Sequence, residues 1–205
     1  MRNLLLVQSP LLLWTIIYIL SALAFIFKSW VPVMIMIPLI VLLFYFYRFP
    51  DRPCQSDDHQ IISPADGTVK EITINPITQE TKISLFLSPL DVHVQYIPYS
   101  GQVIQQKYQK GTFNPAYLLQ KSQYNERNTI TILTRYGPIK VTQIAGQLAR
   151  RIVSKVHKGD QVQKGDPYGM IKLSSRVDIV LPPSAKVLVQ KGDHLKGCQT
   201  ILGHF

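Results

Sequence analysis

Cysteine is scarce in this chain: Cys54 and Cys198 are the only two among 205 residues. They lie far apart and form no CxxC pair, so the sequence supports neither a zinc site nor the disulfide framework of a small secreted domain. We therefore predict two reduced thiols that face the cytosol. No lipidation or retention motif is present either.

Acidic residues are also few. The chain has 12 Asp and Glu against 22 Lys and Arg, which gives a net charge of +10 and a pI near 9.6. Such a basic balance favours an anionic partner, either a nucleic acid or a membrane surface. Because the apolar residues are concentrated in the first fifty positions, the sequence favours the membrane. The length allows one globular domain with an appendage.

Charge is absent from two apolar runs near the N-terminus, Leu11–Phe27 and Val31–Tyr47. Each is near the short end of the roughly 17–25 residues that a membrane-spanning helix needs. The short connection between them predicts a transmembrane helical hairpin over residues 1–47. A cleaved signal peptide is the alternative, because Ser21–Ala24 has the small residues of a cleavage site. The second apolar run would then still anchor the product.

Positive charges predict how the hairpin is oriented. Arg2 precedes the first run, Arg48 and Arg52 follow the second, and Lys28 alone lies between the runs. The positive-inside rule therefore places both ends in the cytoplasm. We predict that the protein resides in the inner cell membrane, with its folded domain on the cytoplasmic side.

Residues 48–60 are polar and contain two prolines, which indicates a linker. From residue 61 to 205 the sequence alternates apolar and polar residues in short, β-branched segments that end at Gly, Pro or Asp. Only Pro115–Lys121 and Gln147–Val153 have a helical pattern. Repeated Lys-Gly-Asp turns resemble the hairpins of biotinyl- and lipoyl-type carrier domains. We predict a mainly β, barrel-sandwich-like domain of many short strands with a few short helices.

Several motifs in this domain contain residues that can do chemistry. Each alone is ordinary: Pro-Ala-Asp-Gly is first a turn, an Asp-x-His pair is usually only hydrogen-bonded, and adjacent serines usually form a loop. Their order behind an apolar hairpin is what makes them informative. In chain order they are "ISPADG" with Asp66, "FLSPLDVHV" with Asp91 and His93, "NER" at Asn125–Arg127, "QIAGQLARRI" with Arg150 and Arg151, and "GMIKLSSRVDIVLP" with Ser174 and Ser175.

These motifs together resemble the phosphatidylserine decarboxylases of the short, membrane-anchored, archaeal-type subfamily. The resemblance runs from about Tyr47 to the C-terminus. It implies a carboxy-lyase that converts phosphatidylserine to phosphatidylethanolamine and carbon dioxide, through a Schiff base on a pyruvoyl group made from its own chain. The implied partners are phosphatidylserine and anionic membrane lipid, with no nucleic acid and no metal. The alternative is an unprocessed, membrane-anchored lipid-binding or adaptor protein.

The resemblance also implies where the chain cleaves itself. The family segment usually reads Gly-Ser-Arg, and alignment on Arg176 makes Ser175 the pyruvoyl precursor, with Ser174 in the place of the glycine. Cleavage between residues 174 and 175 would leave a heterodimer of residues 1–174 and a second chain of 31 residues. Attack by Ser174 on Leu173 is the alternative, but "SRVD" keeps the family register and favours Ser175.

Further roles follow from the same resemblance. His93 and Asp66 are both candidates for the acid and base, and the sequence leaves the choice open. Long-type relatives carry a second histidine where this chain has Tyr96. Three arginines are candidates for binding the lipid phosphate or the departing carboxylate, since guanidinium suits both anions. They are Arg150, Arg151 and Arg176.

Overall fold

The computed structural model describes residues 10–54, 57–116, 118–146, 152–171 and 175–205. Contacts within the chain divide it into two units, residues 1–49 and residues 50–205. The first unit is helical and the second is mainly β.

The first unit contains two consecutive helices, α1 (Pro10–Phe27) and α2 (Val31–Phe46). Their bounds agree closely with the two predicted apolar runs. Lys28, directly after helix α1, has a left-handed φ of 45°, a conformation that ends a helix. No helix in the described part of the chain combines the length and the apolar character of a membrane span, so the transmembrane part of the prediction is not confirmed.

The second unit contains fourteen strands and one four-residue helix, α3 (Leu119–Ser122), within the described residues. The mainly β prediction is therefore confirmed. The strands are β1 (Gln60–Ile62), β2 (Gly67–Ile74), β3 (Thr81–Leu87), β4 (Val94–Tyr96), β5 (Gly101–Gln109), β6 (Arg127–Thr134), β7 (Gly137–Ala145), β8 (Ile152–Ser154), β9 (Gln161–Val162), β10 (Pro167–Ile171), β11 (Ser175–Leu181), β12 (Lys186–Val187), β13 (His194–Leu195) and β14 (Ile201–His204).

These strands pair in three antiparallel sheets. The largest has eight strands in the order β13–β2–β3–β11–β7–β6–β5–β9, and the two smaller sheets are β1–β14–β12 and β4–β10–β8. Strand β11 is central in the large sheet, with β3 on one side and β7 on the other. Both edges of β11 are paired with neighbouring strands, so the position of β11 in the sheet is fixed. The residues at its ends are therefore held in fixed positions as well.

One hydrophobic core is shared by all three sheets. It is built from β-branched and aliphatic residues at alternate strand positions, which is the pattern that buries one face of a sheet. Its members come from distant parts of the chain, and include Ile61, Val69, Leu85, Val103, Ile130, Val141, Ile171, Val177, Ile179, Leu195 and Leu202.

Two helical predictions need correction. The first is the helix predicted over Pro115–Lys121. In the described residues of this region only the four-residue helix α3 forms, and it ends at Ser122, one residue beyond the predicted end. Ile152 and Val153, predicted as the end of a helix, belong to strand β8. They pair with Ile171 and Met170 of β10, so tertiary pairing outweighs the local pattern there. Residues 147–151 of that predicted helix lie outside the described residues.

The prediction of two reduced thiols is wrong. Cys54 and Cys198 form a disulfide, with their Cα atoms 5.2 Å apart, a normal separation for such a bond. The two cysteines are 144 positions apart in sequence. They meet because β1 and β14, near opposite ends of the domain, pair with Gln60 opposite His204. Local spacing carries no sign of this pairing.

Candidate active site

Ser175 is the first residue of the central strand β11 and lies opposite Leu87 of β3 and Ala145 of β7. Its side chain is fully buried. Within the described residues its Oγ has no hydrogen-bond partner. Leaving a buried hydroxyl unsatisfied costs about 1–3 kcal/mol, so a folded protein rarely does it without reason. Among the described residues, the hydroxyl of Ser175 is therefore buried and unpartnered at the predicted cleavage point.

His93 is also fully buried. Its Nδ1 lies 2.9 Å from the carbonyl oxygen of Asp91, and its own carbonyl accepts a hydrogen bond of 3.4 Å from the amide of Ile171. Because a carbonyl can only accept, Nδ1 carries the proton and Nε2 carries the lone pair when the ring is neutral. Ile171 ends β10, four residues before Ser175, so their Cα atoms are at most about 14 Å apart. The fold therefore brings His93 to the cleavage end of β11.

Asp66 lies at the same end of the sheet. Thr68 of β2 pairs with Phe86 of β3, and Phe86 pairs on its other side with Arg176 of β11. Strands β2 and β11 therefore run in the same direction, two strand spacings or about 10 Å apart. Thr68 is thus level with Arg176, the residue after Ser175, and Asp66 lies two residues before Thr68.

The carboxylate of Asp66 is held by three donors. Arg52 makes a two-pronged ion pair with it, in which Nη2 and Oδ2 are 2.8 Å apart. The amide of Gly197 donates to Oδ1 over 2.8 Å. The hydrogen bond that Arg52 donates to Asp66 raises the pKa of Arg52. Asp66 is thus a fixed anion that joins the linker to the C-terminal segment.

A chain of three buried amide side chains leads to His93. Asn128 Nδ2 donates to Gln143 Oε1 over 3.1 Å, and Gln143 Nε2 donates to Gln95 Oε1 over 2.9 Å. Gln95 Nε2 then donates to the carbonyl of His93 over 2.8 Å. All three amides are buried. Our sequence reasoning missed them, although polar residues in otherwise buried strand positions were a usable signal.

Asn125, quoted only as part of "NER", also contacts the cleavage end. Its Nδ2 donates to the carbonyl of Ala145 over 2.8 Å and to that of Asn114 over 2.7 Å. Its Oδ1 accepts from the amide of Asn114 over 2.8 Å. Since Ala145 lies opposite Ser175, Asn125 fixes the end of β7 beside the buried serine.

Arg176 lies on the opposite face of β11 from Ser175, since successive side chains alternate. It is buried, and its guanidinium makes two bonds of 2.8 Å to Asp178 and one of 2.7 Å to the hydroxyl of Ser122. These contacts tie α3 to the sheet. Its predicted role in substrate binding stays a prediction. The other predicted residues here, Arg150, Arg151 and Ser174, lie outside the described residues.

The family resemblance aligns Tyr96 with a second histidine of the long-type relatives. Burial raises the pKa of Tyr96 to about 12, an effect that nearby Arg52 partly opposes. The phenol therefore stays neutral at physiological pH and cannot serve as a base there. This leaves His93 and Asp66 as the described candidates for proton transfer.

Comparison with known proteins gives concordant matches. The family model described as phosphatidylserine decarboxylase matches residues 39–203. A phosphatidylserine decarboxylase proenzyme of Chlorobaculum parvum is 43% identical over 163 residues, which cover 78% of this chain and 76% of the relative. One from Pelodictyon phaeoclathratiforme is 38% identical and covers 90% of this chain and 91% of the relative. A protein of Methanosarcina mazei, provisionally named archaetidylserine decarboxylase proenzyme, is 40% identical over 77% of this chain and 72% of its own length.

Proposed function

Because the chain belongs to the phosphatidylserine decarboxylase family, we propose that it converts phosphatidylserine to phosphatidylethanolamine and carbon dioxide. The observation that carries the proposal is Ser175, a buried serine with an uncommitted hydroxyl among the described residues, at the start of the central strand. The names of the relatives, which are proenzymes, support self-processing at this serine.

In the proposed processing, Ser175 Oγ attacks the carbonyl carbon of residue 174. The C–N bond breaks as the ester forms, and the amide nitrogen of Ser175 takes up a proton. A base then removes the Cα proton of Ser175, and elimination releases residues 1–174 with a free carboxylate. The dehydroalanine that remains reacts with one water and loses ammonia, which leaves a pyruvoyl group at the start of residues 175–205.

The surroundings of Ser175 fit such a group. The pyruvoyl ketone supplies an electrophile for the substrate amine and accepts the electron pair that carbon dioxide leaves behind. Its neighbours across the sheet, Leu87 and Ala145, are buried and apolar. They exclude water and lower the local dielectric, which strengthens the influence of any charge placed nearby.

We assign proton transfer to His93 and a positioning role to Asp66. The bond between His93 Nδ1 and the Asp91 carbonyl leaves Nε2 as the basic atom of the neutral ring. The oxygens of Asp66, in contrast, already accept bonds from Arg52 and Gly197. Both oxygens are thus occupied by donors from the linker and the C-terminal segment, which fits a positioning role.

We further propose that α1 and α2 anchor the protein in the inner cell membrane. Both helices lack charged residues, and the net charge of +10 suits a surface of anionic lipid. The arginines that flank the helices favour a cytoplasmic domain, whereas a disulfide is uncommon in the reducing cytosol. Protease added to intact spheroplasts distinguishes the two sides: a cytoplasmic domain survives the treatment, and an external one is digested.

Replacement of the proposed precursor tests the function. The purified protein, reduced and denatured, should run as two pieces of about 20 and 3.5 kDa, in proportion to 174 and 31 of the residues of a 23.4 kDa chain. It should release carbon dioxide from vesicles that contain phosphatidylserine. Ser175→Ala should stay whole and inactive, whereas Ser184→Ala, at an exposed site, should behave like the parent.

Mass spectrometry of the small piece reads the cleavage position and its blocked N-terminus together. An active Ser175→Ala protein would contradict the assignment. A parent protein that stays whole under reduction and releases no carbon dioxide would favour the unprocessed lipid-binding or adaptor alternative. Vesicles that carry archaetidylserine instead of phosphatidylserine show which lipid backbone the enzyme accepts.

A further inference from the structure

We propose that the Cys54–Cys198 disulfide is a covalent bridge between the two chains that self-cleavage produces. The inference rests on the proposed function, because the bridge becomes an interchain bond only when the chain is cut before Ser175. Cys54 then belongs to the chain of residues 1–174, and Cys198 belongs to the chain of residues 175–205.

The cysteines lie in a site that fits a bridge closely. Cys198 is buried, and its amide donates to the carbonyl of Ser63 over 3.0 Å. Gly165, with a left-handed φ of 89°, packs directly against the sulfur atoms. A Cβ at Gly165 would lie 2.6 Å from Cys54 Sγ and 3.4 Å from Cys198 Sγ, so only glycine leaves room there.

An ion pair beside the bridge holds the same two segments together. Arg52, two residues before Cys54, binds Asp66 and also donates to the carbonyl of Gly197 over 3.0 Å. Gly197 directly precedes Cys198, and its amide donates to Asp66. This clamp sets the spacing of the two cysteines independently of the bond, so oxidation needs little movement of the backbone.

Every other described connection between the two chains is noncovalent. The short chain supplies β11, which pairs with β3 and β7, and also supplies β13 and β14, which pair with β2 and β1. These pairings keep the chains together while the domain is folded. Once it unfolds, unlinked chains separate and must find each other again by diffusion. A bridge keeps that encounter intramolecular, at an effective concentration on the order of millimolar.

Formation of the bridge removes two protons and two electrons from two thiols. A small-molecule disulfide, as oxidant, takes up both electrons and both protons and becomes two thiols. Reduction by a dithiol runs in the opposite direction. Cys198 is buried in the folded domain, whereas Cys54 is partly exposed, so an attacking thiolate has better access to the sulfur of Cys54.

Denaturing electrophoresis without and with dithiothreitol tests the bridge. Cells are lysed in N-ethylmaleimide, so that any free thiol is blocked before it can oxidise. The parent protein should run as one species near 23.4 kDa without reductant, and as pieces of about 20 and 3.5 kDa with it. Two pieces without reductant would overturn the bridge and leave the proposed function intact.

Two variants separate the bridge from the cleavage. Cys54→Ser, at the less buried of the two cysteines, should give two pieces under both conditions. Ser175→Ala should give one species under both. If the parent also gives one species with and without dithiothreitol, cleavage has failed. The mass of the protein then shows how many cysteines N-ethylmaleimide has modified, and therefore whether the bridge is present. No adduct supports the disulfide, and two adducts overturn it.

Refolding provides a second readout that does not depend on activity. After dilution from guanidinium chloride without reductant, the processed parent should regain its far-ultraviolet circular dichroism to the same extent over a tenfold range of protein concentration. Processed Cys54→Ser should recover less as the protein is diluted. Equal recovery of both proteins at every concentration would show that the bridge does not hold the chains together.

Discussion

Replacement of Arg52 by alanine tests whether Asp66 is a fixed, charged part of the fold. Asp66 and Arg52 side chains are only 7% and 11% exposed, and Arg52 supplies two of the donors that Asp66 accepts. The substitution leaves a nearly buried carboxylate with the amide of Gly197 as its remaining described donor. Breaking one side of a buried ion pair typically costs about 3–5 kcal/mol. We expect about 3 kcal/mol here, since both groups keep some contact with solvent.

The measurement is urea unfolding followed by far-ultraviolet circular dichroism, in detergent. Uncleaved Ser175→Ala serves as the background, so that a single chain unfolds and refolds. Lys140→Ala is the matched control, because its ion pair with Glu80 spans 3.3 Å between more exposed side chains. Such a surface pair contributes only about 0–1 kcal/mol.

A second substitution distinguishes the charge of Asp66 from its shape. Asp66→Asn removes the charge that Arg52 neutralises, so adding it to Arg52→Ala should restore part of the lost stability. If Arg52→Ala costs no more than Lys140→Ala, or if the second substitution only adds to the loss, Asp66 is not held as a buried anion. The positioning role assigned to it would then be wrong.

Three further predictions concern the bridge, Tyr96 and the buried amides. In the uncleaved variant the Cys54–Cys198 bond closes a loop of 144 residues, so dithiothreitol should lower the free energy of unfolding by about 5 kcal/mol; a change below about 1 kcal/mol would contradict this. Because burial raises the pKa of Tyr96 to about 12, its neutral form stabilises the fold fully below pH 10, and this stability is lost as the pH rises from 10 to about 12. Tyr96→Phe should flatten that part of the unfolding curve, and an unchanged curve would refute the assignment. Gln143→Leu leaves Gln95 Oε1 and Asn128 Nδ2 without their partner, which should lower the free energy of unfolding by about 1–3 kcal/mol for each group. Self-cleavage, followed on reduced gels, should also become slower. A variant as stable as the parent would rule out the amide chain.

The longer strands were predictable from sequence. Within the predicted β region of residues 61–205, the pattern is clear in Gly67–Ile74, Thr81–Leu87 and Gly101–Gln109, which form β2, β3 and β5. Each has β-branched residues in alternation and ends near a Gly, Pro or Asp that favours a turn. In these segments the local preference and the burial imposed by the fold agree, so the pattern identifies the strand without knowledge of its partner.

Strands of two to five residues were not predictable in the same way. A strand such as β9 or β13 is too short to show alternation, and its existence depends on a partner far away in sequence. The same holds for β1, which forms because β14 returns to pair with it. The disulfide follows from this long-range pairing, which explains why its prediction failed although both cysteines were noted.

Much of the candidate site was recognisable as motifs, but the contacts between its residues were not predictable from sequence. Asp66, His93 and Ser175 were chosen from short segments, and the structure places all three at one end of the large sheet. Arg52 was read only as a charge that orients the hairpin, because nothing local links it to Asp66. Pairing of this kind is decided by the fold as a whole.

The position of the proposed cut explains how a chain can break there and keep its sheet. Ser175 is the first described residue of β11, and it pairs with both neighbouring strands. A cut on its N-terminal side therefore leaves every described rung of both ladders in place. Arg176, the next residue, anchors α3 from the opposite face. Substitutions at Ser175 should consequently change the chemistry and leave stability nearly intact, whereas substitutions at Arg176 should weaken the fold first.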